Sequence, residues 1–184
     1  MSDSAEIGPS KRLFFASWPT DERRAELVQR LCRVAWGSSG RRVAAANYHL
    51  TLAFLGAVPA TRLAAVSDAV ASLRAAAFDL RLDRIEHWHK PQMLCLVASR
   101  VPDAAQMLVQ TLWRVLAGLG FKPEVRPFKA HLTLIRKVQR PPADHTIDAL
   151  DWRVDSLALV ESVTAPDGPV YMPLGFWPLS SSST

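Results

Sequence analysis

The sequence His49-Leu-Thr-Leu52 occurs a second time, unchanged, as His131-Leu-Thr-Leu134. Each copy lies in an apolar stretch rich in leucine, β-branched and aromatic residues, which favours a β-strand over a helix. Because side chains alternate between the two faces of a strand, the histidine and threonine of each copy share one face and the leucines occupy the other. We therefore predict two strands that are anchored by leucines and that each present an imidazole and a hydroxyl group.

Two such strands facing one cleft would bring together His49, Thr51, His131 and Thr133. This set suits cleavage of a phosphodiester, because one imidazole can act as base, the other as acid, and hydroxyl groups can bind phosphate oxygens. A single His-x-Thr is a weak signal, since a histidine in a strand usually has a structural role. Two identical copies in a chain with only 5 histidines favour a shared catalytic role. The residues alone leave open which histidine is the acid and which is the base.

The composition is that of a globular protein with a basic surface. The formal net charge of +5 permits an anionic partner such as RNA. No apolar run approaches the roughly 18 residues of a membrane span, and the first residues lack the features of a signal peptide. We therefore predict a cytoplasmic protein, and the two isolated cysteines, Cys32 and Cys95, are expected to be buried, reduced thiols.

The sequence favours neither a metal site nor a cofactor site. His87 and His89 form a two-histidine pattern, but no further ligand stands beside them at a familiar metal-ligand spacing. The glycine patterns of a P-loop and of a dinucleotide site are both absent from the sequence. An ATP-driven reaction is therefore not expected, and the predicted chemistry needs no cofactor.

The pattern of apolar residues predicts an α+β fold in which the two motifs belong to a repeated unit. The motifs lie 131 − 49 = 82 residues apart, and each follows a predicted helix and a loop. One domain is expected over residues 11–179, with disordered tails at residues 1–10 and 180–184. The predicted helices cover residues 21–35, 59–77 and 102–119. The predicted strands cover residues 12–18, 48–56, 78–88, 93–98, 152–163 and 170–179, and the second motif strand is predicted within residues 123–136.

The paired His-x-Thr motifs resemble those of the 2H phosphoesterase superfamily. The flanking sequences are similar to those of the RNA 2′,3′-cyclic phosphodiesterases, long called 2′-5′ RNA ligases. The similar stretches are residues 12–19, 47–56, 120–136 and 159–162, with Tyr171 after them. The resemblance implies a fold of two lobes, each an antiparallel sheet with helices outside, whose motifs line a central groove.

The same resemblance implies an activity and a set of roles. The protein would hydrolyse the 2′,3′-cyclic phosphate at an RNA end to a 2′-phosphate without a metal, with His49 as proton donor and His131 as proton acceptor. Arg136 would contact the substrate, unless it is a solvated charge at a strand end. Phe15 would stack on a base, unless both rings of the Phe14-Phe15 pair lie in the core.

Three alternatives remain open at this point. The same site would serve reversible 2′-5′ joining of RNA ends, or hydrolysis of a small cyclic nucleotide. A module that binds RNA ends without catalysis is the third. In each case the partner is RNA or a nucleotide, no membrane is involved, and the protein is expected to be a monomer.

Overall fold

The computed structural model describes residues 9–32, 40–140, 145–166 and 168–181. The helices are α1 (Asp21–Leu31), α2 (Leu63–Ala71) and α3 (Asp103–Ala117). The strands are β1 (Ser10–Ser17), β2 (Arg41–Arg42), β3 (Leu50–Pro59), β4 (Phe78–Trp88), β5 (Met93–Val97), β6 (His131–Arg136), β7 (His145–Val154), β8 (Ser156–Ala165) and β9 (Gly168–Pro178). The predicted α+β class is confirmed by this set of elements.

The strands form two antiparallel halves that meet at one residue pair. The strand order is β9-β8-β1-β3 in the first lobe and β6-β5-β4-β7 in the second, and β2 pairs with β6. Strands β3 and β6 are joined by the antiparallel pair Leu50 and Leu132. The two predicted sheets are thus present, and this pair links them into a single hydrogen-bonded sheet.

The two faces of the joined sheet have different surroundings. Buried residues of all three helices pack with Leu13, Phe15, Leu50 and Leu132 in one large core. The opposite face carries two small apolar clusters, one in each lobe. The first-lobe cluster is Phe14, Ala16, Ala158 and Val160, and the second-lobe cluster is Met93, Cys95 and Val97. This second face is the one that carries the histidine and threonine side chains.

Two predicted elements differ from the observed ones. The predicted strand at 152–163 is two strands, β7 and β8, with Asp155 between them. The predicted helix at 59–77 begins as a 3₁₀ turn and ends at Ala71. Its last residues are extended because Ser180 pairs with this segment: the Ala77 N–H donates to the Ser180 carbonyl (2.8 Å) and the Ser180 N–H donates to the Ala75 carbonyl (2.9 Å). Tertiary hydrogen bonds here outweigh the helix propensity of alanine.

The chain ends and the cysteines need small corrections. Ser10 lies in β1 and Ser180 forms a bridge with Ala76, so both belong to the fold rather than to disordered tails. Residues 1–8 and 182–184, and the predicted end of the first helix at residue 35, lie outside the described residues. Cys95 is buried as predicted, whereas Cys32 is exposed because it follows the last turn of α1. In the described part of the chain, none of the helices combines the length and apolar character that crossing a membrane requires.

Candidate active site

The pairing of β3 with β6 places the two motifs side by side. Leu50 is opposite Leu132 in an antiparallel register. Continuing that register by one residue sets His49 opposite Thr133 and Thr51 opposite His131. The leucines of the pair are 0% exposed and point into the large core, so the imidazoles and hydroxyl groups lie on the other face. The predicted assembly of the four side chains on one face is therefore what the fold produces.

The imidazole of His49 is held by a backbone carbonyl and a hydroxyl group. Its Nδ1 lies 2.7 Å from the carbonyl oxygen of Asn47. A carbonyl oxygen only accepts, so Nδ1 carries a proton and donates it. In the neutral ring Nε2 is then the acceptor, and it lies 3.1 Å from the Oγ1 of Thr51. Nε2 is therefore the atom of His49 that is left for proton transfer.

Three aromatic rings enclose His49. The ring centroids of Phe14, Tyr171 and Trp18 lie 4.9, 5.0 and 5.7 Å from that of the imidazole, and Trp18 is nearly parallel to it. This burial lowers the pKa of His49 to about 4, and the electrostatic interactions with His131 and with the Arg136 guanidinium act in the same direction. The hydrogen bond to Asn47 raises the pKa and offsets only part of the effect. His49 is therefore neutral near pH 7 in the free protein.

His131 is held in the same manner from the other lobe. Its Nδ1 donates to the carbonyl oxygen of Lys129 (2.8 Å), again the residue two positions earlier, and Trp88 lies against its ring with centroids 4.5 Å apart. Burial is the main cause that lowers the pKa of His131. The hydrogen bond to Lys129 raises it, and the charges of Arg136 and Lys129 lower it again. Both imidazoles thus have the same fixed tautomer.

The two threonines have different partners. The Thr51 hydroxyl is hydrogen-bonded to His49, whereas Thr133 lies opposite Cys95, its register partner on β5. Burial raises the pKa of Cys95 to about 12, so it remains a thiol and is not a nucleophile.

Arg136 ends β6 close to both histidines. Its positive charge lowers the pKa of His49 and of His131, which places the guanidinium within electrostatic reach of both rings. One of its nitrogens, Nη1, lies 3.2 Å from the Sδ of Met93. Among the described residues no carboxylate forms an ion pair with Arg136. The guanidinium is thus available for an anionic ligand, and the substrate contact at Arg136 stays a prediction.

The prediction that Phe15 stacks on a base is wrong. Phe15 is 0% exposed and packs in the large core, 6.1 Å from the ring of Trp177. Strand alternation places Phe14 on the histidine face instead, but Phe14 is only 1% exposed because His49, Phe54 and Tyr171 cover it. Neither ring of the pair offers a free face to a base.

Sequence reasoning missed two aromatic residues that contact the histidines. Trp18 follows the end of β1, the neighbour of β3, and contacts His49. Trp88 ends β4, which β5 separates from β6, and contacts His131. Both rings also lie beside a cation: the Arg24 guanidinium is 5.8 Å from the Trp18 centroid and the Lys129 ammonium is 5.4 Å from that of Trp88. The sequence feature that could have identified these two residues is an aromatic side chain at the end of a predicted strand.

The described residues contain no group of three or more His, Cys, Asp or Glu side chains that could hold a metal ion. His87 and His89 do lie together, with ring centroids 4.7 Å apart. The groove contains two imidazoles whose Nε2 atoms are available for proton transfer, together with two hydroxyl groups and a guanidinium. These are the parts needed for acid–base cleavage of a phosphate ester.

The fold and the paired histidines define a phosphoesterase of the two-histidine class, and comparison with known proteins agrees. Residues 17–94 and 96–171 match the family model described as LigT like Phosphoesterase. The chain belongs to this LigT-like phosphoesterase family, as the motifs predicted.

Similar proteins span nearly the whole chain. The RNA 2′,3′-cyclic phosphodiesterase of Escherichia coli (strain K12) is 32% identical over 174 residues, which are 92% of this chain and 97% of that protein. A crystal structure of a phosphoesterase has a TM-score of 0.81 at 31% identity and covers 93% of this chain and 99% of its own. The apo form of E. coli LigT has a TM-score of 0.79 at 31% identity, with 94% and 99% covered. These likenesses confirm the predicted fold.

Proposed function

We propose that this protein hydrolyses the 2′,3′-cyclic phosphate at the end of an RNA and leaves a 2′-phosphate. The observation that carries the proposal is that the two histidines are oriented in the same way beside paired strands. In both His49 and His131, Nδ1 donates a hydrogen bond to the backbone carbonyl of the residue two positions earlier. The E. coli relative carries the name of this activity, and E. coli LigT has been crystallised with 3′-AMP and with phosphate.

The proposed reaction uses one imidazole for each proton. Nε2 of neutral His131 takes a proton from a water molecule while the water oxygen forms a bond to phosphorus. The bond between phosphorus and the ribose 3′ oxygen breaks, and His49 donates a proton to that oxygen. The 2′ oxygen keeps the phosphate. The assignment of donor and acceptor rests on family resemblance, because the two motifs are identical.

The surroundings of the phosphate complete the scheme. The Thr51 and Thr133 hydroxyl groups and the Arg136 guanidinium would stabilise the charge that develops on the non-bridging oxygens. His49 must be protonated to act as donor, although its pKa is about 4 in the free protein. An anionic phosphate placed beside the ring favours the imidazolium and raises that pKa on binding. A metal ion is not required, because the site supplies both an acid and a base.

The decisive experiment is steady-state kinetics of His49→Ala and His131→Ala on an oligonucleotide with a cyclic-phosphate end. Each substitution should lower the rate on the order of 10²–10⁴-fold, and the double variant should lose less than the product of the single losses. The wild-type rate should show a bell-shaped pH dependence, since one group must start neutral and the other charged. Phosphorus NMR should show a 2′-phosphate product.

The matched control is His89→Ala, which removes an exposed imidazole outside the groove and should leave the rate unchanged. Circular dichroism checks that each variant is folded. A folded His49→Ala or His131→Ala protein with near wild-type turnover would refute the paired-histidine mechanism. Binding of the oligonucleotide by the wild type without any turnover would instead support a non-catalytic RNA-end-binding module.

A further inference from the structure

A large cavity opens beside His131, and His49 is not among the residues that line it. It has a volume of about 820 Å³ and is bounded by the two motif strands, by α3 and by the loop of residues 121–130. Thr51, His131 and Trp88 are among its lining residues, and we call it the α3 cavity. This volume is within the range of small-molecule sites and far exceeds what a phosphate group needs.

The walls of the α3 cavity combine aromatic rings with amide groups. Gln106, Gln110 and Trp113 recur at helical spacing, so they form one stripe along α3 that faces the cavity. This stripe is separate from the buried stripe that anchors α3 in the core. Phe128 in the loop and Trp88 in β4 supply two further rings. Aromatic rings of this kind bind single-stranded nucleic acid by stacking on its bases.

The charges in the α3 cavity are mostly positive. Lys90, Arg126 and Lys129 line it, with Glu124 as the opposing carboxylate. Lys129 is paired with Glu86 at 2.5 Å, whereas within the described ranges neither Lys90 nor Arg126 has an ion-pair partner. Two unpaired cations therefore remain for an anionic ligand.

These cations identify which part of an RNA would lie here. Arg136 ends the motif strand β6 and does not line the α3 cavity, whereas Lys90 and Arg126 stand in loops that do. A cyclic mononucleotide has one phosphate, and that phosphate must sit between the two imidazoles. Two cations in addition to Arg136 match a second phosphate, which only a longer strand carries.

We propose that the α3 cavity binds the nucleotide that precedes the cyclic-phosphate end of a single-stranded RNA. Its base stacks on the rings of the cavity wall, with Trp113 on α3 as the main contact. Its phosphate, which links it to the terminal nucleotide, lies against Arg126 and Lys90. This inference rests on the proposed function and deepens it by assigning a subsite for the nucleotide before the reacting end.

The test compares a trinucleotide ending in a 2′,3′-cyclic phosphate with 2′,3′-cyclic AMP. The wild type should have the higher kcat/KM for the trinucleotide. Trp113→Ala and Arg126→Ala should each lower the ratio of the two kcat/KM values about 10-fold, as is typical of removing one stacked base or one phosphate interaction. Arg126→Ala should also reduce the salt dependence for the trinucleotide, because each phosphate that the protein neutralises on a single strand contributes roughly 0.7 to the slope.

Two controls separate binding from folding. Arg114→Ala removes an exposed arginine of α3 that does not line the cavity, and it should leave the ratio unchanged. Trp113 packs partly against the core, so Trp113→Phe, which keeps a ring, should restore most of the ratio. Arg126 is exposed, and its removal cannot open the core.

The possible failures are distinguishable. A wild type without preference for the trinucleotide, or variants that lower kcat/KM equally for both substrates, would overturn the assignment of the α3 cavity. A wild type that hydrolyses neither substrate would contradict the proposed function instead. In that case the cavity is tested by fluorescence titration with a trinucleotide 3′-phosphate: a weaker Kd in Arg126→Ala but not in Arg114→Ala supports it, and equal Kd values refute it.

Discussion

Replacing His49 by glutamine should make the stability of the protein less sensitive to acid. The side chain of His49 is half-buried among three aromatic rings, and this burial lowers its pKa from 6.5 to about 4. The unfolded chain has no such enclosure, so its His49 keeps an ordinary pKa near 6.5. Between pH 6.5 and pH 4 the unfolded state therefore binds a proton that the folded state does not.

The sign and size of the effect follow from proton linkage. A group whose pKa is lower in the folded state than in the unfolded state destabilises the fold as pH falls through the unfolded pKa. With values of 6.5 and about 4, the free energy of unfolding at pH 5 is about 2 kcal/mol lower than at pH 7.5. We expect about 1–2 kcal/mol, because solvent still reaches part of the ring. His49→Gln should remove this part of the pH dependence and leave the part due to His131.

The measurement is urea unfolding, followed by tryptophan fluorescence, at pH 7.5 and pH 5.0. The quantity compared is the change in the free energy of unfolding between the two pH values for wild type and for His49→Gln. His89→Gln, which alters an exposed imidazole, is the matched control and should behave like wild type. If His49→Gln loses as much stability on acidification as wild type does, the enclosure of His49 does not suppress its protonation and the reasoning is refuted.

Three further predictions address the rest of the groove. Arg136→Gln should raise KM for a cyclic-ended oligonucleotide roughly 10–100-fold, because a charged hydrogen bond is lost. It should also shift the acid limb of the pH profile to higher pH, because the charge of Arg136 lowers the pKa of both histidines. An unchanged KM would exclude a substrate contact. Phe15→Leu should cost about 1–2 kcal/mol in urea unfolding with kcat retained, whereas a selective loss of activity would place Phe15 in the site after all. Activity should survive incubation with EDTA, and a loss reversed by zinc or manganese would contradict metal-independent catalysis.

The local geometry of the motifs was predictable, and their relative placement was not. Alternation alone indicates that Leu50 and Leu132 face opposite to the histidines, and both leucines are indeed buried in the large core. Nothing in either motif specifies that these two leucines become a pair, because strand pairing across 82 residues depends on the path of the whole chain. The sharing of one groove was therefore inferred from the chemistry and the resemblance.

The errors have identifiable physical causes. Alternation requires Phe14 and Phe15 to lie on opposite faces but does not tell which face is the core, since apolar residues flank the pair on both sides. That choice is made by β8, whose Ala158 and Val160 pack against Phe14. Strand β7 does show alternation at its end, with Trp152 buried between exposed neighbours, but its acidic residues obscured the pattern.

The pair Leu50 and Leu132 acts as the centre of a local two-fold axis. Rotation about this axis exchanges His49 with His131 and each threonine with the other, so a bound phosphate meets the same four motif side chains from either direction. Any division of labour between the histidines must then be imposed by their asymmetric neighbours. These are an enclosure of rings around His49 and an open cavity beside His131. Exchanging acid and base would require rebuilding those neighbours while leaving both motifs as they are.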